Sequence, residues 1–207
     1  MGGWFRKEIN EVSDINGLKF RIGGFAAKTI QKLGGVPQQI AAGDIYPALE
    51  RGTIDAAEWV GPYDDEKLGL NKVAKYYYYP GWWEGSTANH LLVNLAKWND
   101  LPKRYQTILL GAASHTNNVE LARYDARNPA ALRKLIASGA ELRAFSPAIM
   151  DACQKAALEL YAEISARNDD FKTIWGSMLA FRNEQYLWWQ VAEYSYDSYM
   201  IRSRSRS

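Results

Sequence analysis

Leu18-Lys19-Phe20-Arg21-Ile22-Gly23-Gly24 is the stretch from which the fold can be read. Leu18, Phe20 and Ile22 alternate with Lys19 and Arg21, the period of two that turns one face of a strand toward a core. Gly23-Gly24 ends the run. Phe25, Ala26, Ile30 and Leu33 then follow at helical spacing until Gly34-Gly35 stops the helix. Residues 36–40 read as a second strand. Asp44 is placed to cap a short helix through Glu50, with Ile45 and Leu49 on one face and Gly52 closing it. Residues 53–59, ending in Glu58-Trp59, read as a third strand. Two strand–helix–strand units within about forty residues predict a parallel sheet with right-handed crossovers. Residues 74–79 and 91–93 carry further strand signals.

The second half is helical. Tyr105, Ile108, Leu109, Ala112, Val119 and Ala122 mark a long amphipathic helix, which Pro129 is expected to kink or end. A strand signal at 141–145 follows. Ser146-Pro147 then forms a good helix start, with Ser as the cap and Pro in the first turn. Ile149, Cys153, Ala156, Leu160 and Ile164 line one face of that helix, so Cys153 reads as a packing residue rather than a nucleophile. The last helix is expected to run unbroken over about 171–200. It carries Met178, Phe181, Trp188, Trp189, Ala192, Tyr196 and Tyr199 on one broad side. Thirty helical residues span about 45 Å, longer than a small domain is wide. Such a helix crosses a second lobe, packs on another chain, or does both.

Composition narrows the class. The chain has 207 residues, of which 47% are hydrophobic and 23% charged, which excludes wholesale disorder. No window approaches the ~18 uninterrupted apolar residues of a membrane-spanning helix. One cysteine, Cys153, excludes an internal disulfide framework and a multi-cysteine metal site. Two histidines, His90 and His115, argue against a histidine-built zinc site. The formal charge is +2, but the alternating Arg-Ser end from Arg202 holds three of the positive charges, and +2 less those three leaves −1. A nearly neutral body does not suit nucleic acid, and the end reads as a disordered tail. Met1-Gly2-Gly3-Trp4-Phe5 lacks the basic start, apolar stretch and small-residue cleavage site of a signal peptide. It reads instead as an opening cut from the interior of a longer chain.

The chemistry lies at strand ends. There is no Gly-rich phosphate loop, nucleophile elbow or His-Glu-x-x-His motif. Arg21 lies near the end of the first strand, Glu58-Trp59 ends the third, and Glu84 follows Trp82-Trp83. Ligands of open parallel sheets bind in the crevice beyond the carboxyl ends of the strands. An Arg fork there holds a carboxylate bidentately. Two glutamates beside that anion repel it unless a cation lies between them, and oxygen ligands suit a hard one. The residues leave three readings open. One is a carboxylate-and-cation site at Arg21, Glu58, Trp59 and Glu84. Another is an enzyme with Glu58 and Glu84 as an acid–base pair and Arg21 as a substrate clamp. The third is an aromatic carbohydrate-binding module stacking sugars on Trp82 and Trp83.

Gly-Leu-Lys-Phe-Arg-Ile (17–22), Lys-Leu-Gly-Gly-Val-Pro (32–37) and Gly-Asp-Ile-Tyr-Pro-Ala-Leu-Glu-Arg-Gly-Thr-Ile-Asp-Ala-Ala-Glu-Trp (43–59) resemble the substrate-binding proteins of TRAP transporters. These are the solute receptors of the tripartite ATP-independent periplasmic systems. Val60-Gly61-Pro62-Tyr63-Asp64-Asp65 and Tyr79-Pro80-Gly81-Trp82-Trp83-Glu84 extend the likeness, which points to members that bind 2-oxo acids such as pyruvate together with a cation.

The resemblance implies a periplasmic α/β receptor whose two lobes close on an organic acid, working with membrane permease subunits and driven by an ion gradient. Arg21 would grip the ligand carboxylate, with Glu58 and Trp59 also touching substrate. Glu58, Trp59 and Glu84 would hold the cation, sodium in the first place and calcium as the alternative. It also implies that this chain is about two thirds of the family's length, lacking most of the N-terminal lobe, the export signal and an upstream Gln that contacts ligand. The expected organisation is an α/β substrate-binding lobe over 1–145, a helical region over 146–201 and a disordered tail over 202–207. With the other lobe mostly absent, a homodimer through the terminal helix is expected, without enzymatic activity.

Overall fold

The structure is a computed structural model and describes residues 1–83, 85, 87 and 89–204. Six strands, β1 (Gly3–Phe5), β2 (Lys19–Arg21), β3 (Val36–Gln38), β4 (Ala56–Ala57), β5 (Tyr76–Tyr79) and β6 (Glu141–Ala144), form one sheet in the order β3-β2-β4-β1-β5-β6. The predicted parallel units are present: β2 pairs in parallel with both β3 and β4, and α1 (Gly24–Lys32) and α2 (Ala42–Glu50) connect them in turn. β5 and β6 are also parallel. β1 departs from this pattern. It lies antiparallel between β4 and β5 and stitches the two parallel groups together.

That insertion depends on glycine. Gly3 has φ +103°, and a Cβ there would stand 2.9 Å from the carbonyl oxygen of Ala57. Only a residue without a side chain lets β1 approach β4 this closely.

Alternation along the strands sorts the core into two layers. Phe5, Phe20, Ala56 and Tyr78 join Ile22, Ile30, Phe145, Ile149 and Cys153 in one cluster. Trp4, Ala57 and Tyr77 join Ile45, Leu49, Ile54, Leu70 and Leu135 in the other. Each neighbouring pair in a strand therefore divides between the faces, as a period of two requires. Trp4 and Tyr77 are direct cross-strand partners and stack with ring centroids 3.9 Å apart, tilted by only 13°. Burial of each large apolar side chain is worth about 1.5–3 kcal/mol, so the two layers supply the main stabilisation. Cys153 lies in the first layer as expected, and burial pushes its thiol pKa up to about 12.

Several elements differ from the sequence expectation. The third strand shrinks to Ala56–Ala57, and residues 91–93 are not a strand but an irregular segment with Leu92 exposed. An apolar triplet has no period, so composition alone does not distinguish strand from loop. α3 (Pro62–Leu68) and α4 (Leu95–Asp100) precede α5 (Lys103–Ala137), which continues through Pro129 rather than ending there. α6 (Pro147–Ser165) starts as predicted, with the Ile149 backbone N–H donating to the Ser146 hydroxyl at 3.4 Å.

The single terminal helix is in fact two, α7 (Asp169–Val191) and α8 (Glu193–Ser203). They part at Ala192, whose φ of −87° and ψ of −97° are not helical. Ser195 donates its hydroxyl to the Gln190 carbonyl, the local competition with backbone bonding by which serine interrupts helices. Arg202 and Ser203 belong to α8 rather than to a loose tail, and residues 205–207 lie outside the described residues.

The chain divides into two compact units, Met1–Ala156 and Ala157–Ser207. The first holds the sheet and its clusters. In the second, Tyr161 packs on Trp175 and Phe171 at centroid distances of 4.7 and 6.2 Å. Phe181, Trp188, Tyr196 and Tyr199 are all at least 60% exposed there.

Candidate functional site

The site is built at the carboxyl ends of three adjacent parallel strands. Arg21 closes β2, opposite Gln38 at the end of β3 on one side and Ala57 at the end of β4 on the other. Chain direction is the same in all three, so the residues that follow them, Ile22-Gly23, Gln39-Ile40 and Glu58-Trp59, emerge together. The Glu58 backbone N–H donates to the Arg21 carbonyl at 3.1 Å, which carries the ladder one residue past β4.

Arg21 is half-buried and engaged in several directions. Nε donates to the Ile40 carbonyl at 3.3 Å, and Nη1 donates to the Glu58 carbonyl at 2.8 Å and to Glu58 Oε1 at 2.5 Å. Its guanidinium carbon stands 5.4 Å from the centre of the Trp59 ring, within cation–π range. The Arg21 and Glu58 side chains are 19% and 16% exposed, so the pair is partly withdrawn from water yet open to a ligand. Arg21, Ile22, Gly23, Gln38, Gln39, Ile40 and Ala41 line a cavity of about 360 Å³.

Three of the four residues singled out from sequence thus come together: Arg21, Glu58 and Trp59. The fourth, Glu84, lies outside the described residues. Sequence reasoning passed over Gln38 and Gln39. Their signal was their position at the end of the strand next to Arg21, where side chains converge on the same crevice. Trp82 and Trp83 are half-buried against the first core cluster, with Trp83 edge-on to Phe20 at 6.3 Å. Packed in this way they are supports of the core rather than an exposed platform for sugars.

Behind the Glu58-Trp59 segment lies a buried carboxylate. Asp65 Oδ2 accepts from Trp4 Nε1 at 2.9 Å and from the Tyr77 hydroxyl at 2.7 Å. Asp65 Oδ1 accepts from the backbone N–H groups of Val60 and Gly61 at 3.2 and 3.1 Å. Burial raises the Asp65 pKa against the opposing effect of these bonds, and burial likewise raises that of Tyr77. α5 braces the same region from outside. Asn128 Oδ1 accepts from the Tyr63 N–H at 3.0 Å, and Tyr124 donates its hydroxyl to Asp64.

A bound cation would need oxygen donors here, and the Glu58 carboxylate supplies a hard one. No group of three His, Cys, Asp or Glu side chains gathers anywhere among the described residues.

An α/β lobe with a cationic fork and a carboxylate at its strand ends has the form of a solute-binding module. The chain belongs to the bacterial extracellular solute-binding proteins, family 7 (DctP), whose model matches residues 1–168. It is 48% identical over 204 residues to a monocarboxylate 2-oxoacid-binding periplasmic protein of Nostoc, covering 99% of this chain and 56% of the relative. A TRAP transporter solute-binding protein of Bordetella bronchiseptica is similar at 52% identity and a TM-score of 0.94, over 100% of this chain and 61% of that one. That protein was solved as a mixed-occupancy dimer with copurified calcium and picolinate in one site. A TRAP solute-binding protein of Pseudoalteromonas atlantica, solved with sodium and pyruvate, is similar at 38% identity and a TM-score of 0.90, over 96% and 60% of the two chains. The chain thus spans a little over half the length of these relatives. The family is one of solute-binding proteins rather than enzymes.

Proposed function

We propose that this chain is the acid-gripping part of a TRAP-type solute receptor, which captures a small 2-oxo or hydroxy acid with a cation in the periplasm and delivers it to a membrane permease. The observation that carries this reading is Arg21, fixed at a strand end over a cavity of about 360 Å³ with Glu58 and Trp59 beside it. The Nostoc and Pseudoalteromonas relatives support a 2-oxo acid of the pyruvate class.

In this reading Arg21 holds the ligand carboxylate, and Glu58 and Trp59 contact the acid and, with Glu84, hold the cation. A cation supplies the positive charge that lets a ligand carboxylate and protein carboxylates share one site. Sodium is the first assignment and calcium the second, since relatives were solved with each. The exposed aromatic residues of α7 and α8 favour a homodimer built through these helices, as the Bordetella relative is a dimer. Native mass spectrometry of the purified protein tests the core of the proposal. A retained acid of pyruvate's size together with a sodium or calcium ion is the expected result, whereas a retained neutral sugar or turnover of added pyruvate would refute it.

A further inference from the structure

Asp65 is 1% exposed and lies outside the set of residues assigned to the acid or the cation. The two oxygens of a carboxyl group offer about four lone-pair positions. Four donors surround this one. Two belong to the core: Trp4 on β1 and Tyr77 on β5, whose rings stack on each other. The other two are the backbone N–H groups of Val60 and Gly61, the residues directly after Glu58-Trp59. One oxygen of the carboxylate therefore grips the stacked Trp4–Tyr77 pair, and the other grips the backbone directly after Glu58-Trp59. On either side of that grip the chain is tied again, by the Glu58 N–H to the Arg21 carbonyl and by the Tyr63 N–H to Asn128.

We propose that Asp65 is a positioning residue for the acid-and-cation site, fixing where Glu58 and Trp59 stand relative to Arg21 by tying their segment to the Trp4–Tyr77 stack. A segment of irregular backbone emerging from a two-residue strand has little ladder of its own to hold it. A site needs its groups held within about 0.5 Å, which falls to the residues behind them. The inference rests on the proposed reading of Arg21, Glu58 and Trp59 as that site.

Asp65→Asn is the informative variant, because it keeps the size but replaces one acceptor oxygen with an N–H₂ facing donors. Leu70→Ala, in the same core cluster but with no hydrogen-bonding group in its side chain, controls for lost stability. Two measurements are made on the full chain: pyruvate affinity by calorimetry in sodium and in calcium, and hydrogen exchange at residues 58–61. Asp65→Asn is expected to weaken pyruvate binding about tenfold or more, the usual effect of losing an outer partner of a ligand group. It should also speed exchange at Val60 and Gly61. Leu70→Ala should lower the melting temperature while leaving both readouts near those of the parent.

A folded Asp65→Asn protein that binds pyruvate like the parent, with unchanged exchange at 60–61, would overturn the proposal. If that variant does not fold, exchange in the parent decides: Val60 and Gly61 should be as protected as Trp4 and Tyr77, and rapid exchange there overturns the claim. If the parent itself binds no pyruvate, the functional reading fails, and exchange in the variant still decides whether Asp65 holds the segment.

Discussion

Arg21 holds Glu58 twice through one nitrogen: Nη1 donates both to the Glu58 backbone carbonyl at 2.8 Å and to its carboxylate at 2.5 Å. The two residues are 37 positions apart in sequence and meet because their strands are adjacent and parallel. The pair sets the terms for any ligand. In the proposed reading, an incoming carboxylate would share or displace Glu58 at the guanidinium, and a cation beside Glu58 would offset the repulsion between the two acids.

Arg21→Ala is therefore expected to cost about 2–5 kcal/mol of acid binding, as for removal of one partner of a desolvated charge pair. Arg21→Lys should recover only part, since an ammonium cannot reproduce the planar fork. The stability cost is smaller, on the order of 1 kcal/mol, because the pair is partly exposed. Calorimetry with pyruvate, alongside thermal melts, checks both halves. Unchanged affinity in Arg21→Ala would remove Arg21 from the site.

Acid affinity should depend on a specific cation rather than on ionic strength. Replacing sodium with choline at constant ionic strength, after chelation of calcium, is expected to weaken pyruvate binding, and adding back either cation should restore it. Glu58→Gln should blunt that restoration. Equal binding in sodium and choline would show that the glutamates are structural.

The exposed aromatic faces of α7 and α8 are expected to drive self-association. Phe181, Trp188, Tyr196 and Tyr199 are all at least 60% exposed. Monomeric proteins rarely leave a contiguous patch above a few hundred Å² uncovered. Light scattering at micromolar concentration should give twice the chain mass, and Trp188→Glu with Tyr196→Glu should shift it toward the monomer. A monodisperse parent monomer would rule the dimer out.

Cys153 should be inert in the native state. Its thiol pKa is pushed up to about 12 by burial, so essentially no thiolate exists at pH 8. A thiol reagent at pH 8 is expected to label the protein only in denaturant. The linkage has a definite sign. In the unfolded chain the thiol ionises near pH 8.5, so stability from this group is full below that pH and is lost as pH rises toward about 12. Cys153→Ala should flatten that alkaline decline in melting temperature, and rapid native labelling would contradict the assignment.

Much of the architecture was legible in the sequence by itself. The alternation of Leu18, Phe20 and Ile22, the Gly-Gly stops and the Ile45–Leu49 spacing are local signals, and β2, α1, β3 and α2 follow them closely, although α2 starts at Ala42, so that Asp44 lies in its first turn rather than at its cap. Placement of Arg21 and Glu58-Trp59 at strand ends was legible for the same reason, since periodicity shows where a strand stops. Periodicity does not show which strand lies beside which. Only the tertiary structure decided that β1 enters antiparallel between β4 and β5, through a glycine at φ +103° that admits the Ala57 carbonyl. The same long-range pairing turned Asp65, one acidic residue among several in a polar helix, into a buried acceptor between Trp4, Tyr77 and the Val60-Gly61 backbone. Strand order and register follow from both faces of the sheet being packed at once, and that free energy belongs to contacts many residues apart rather than to any window of sequence.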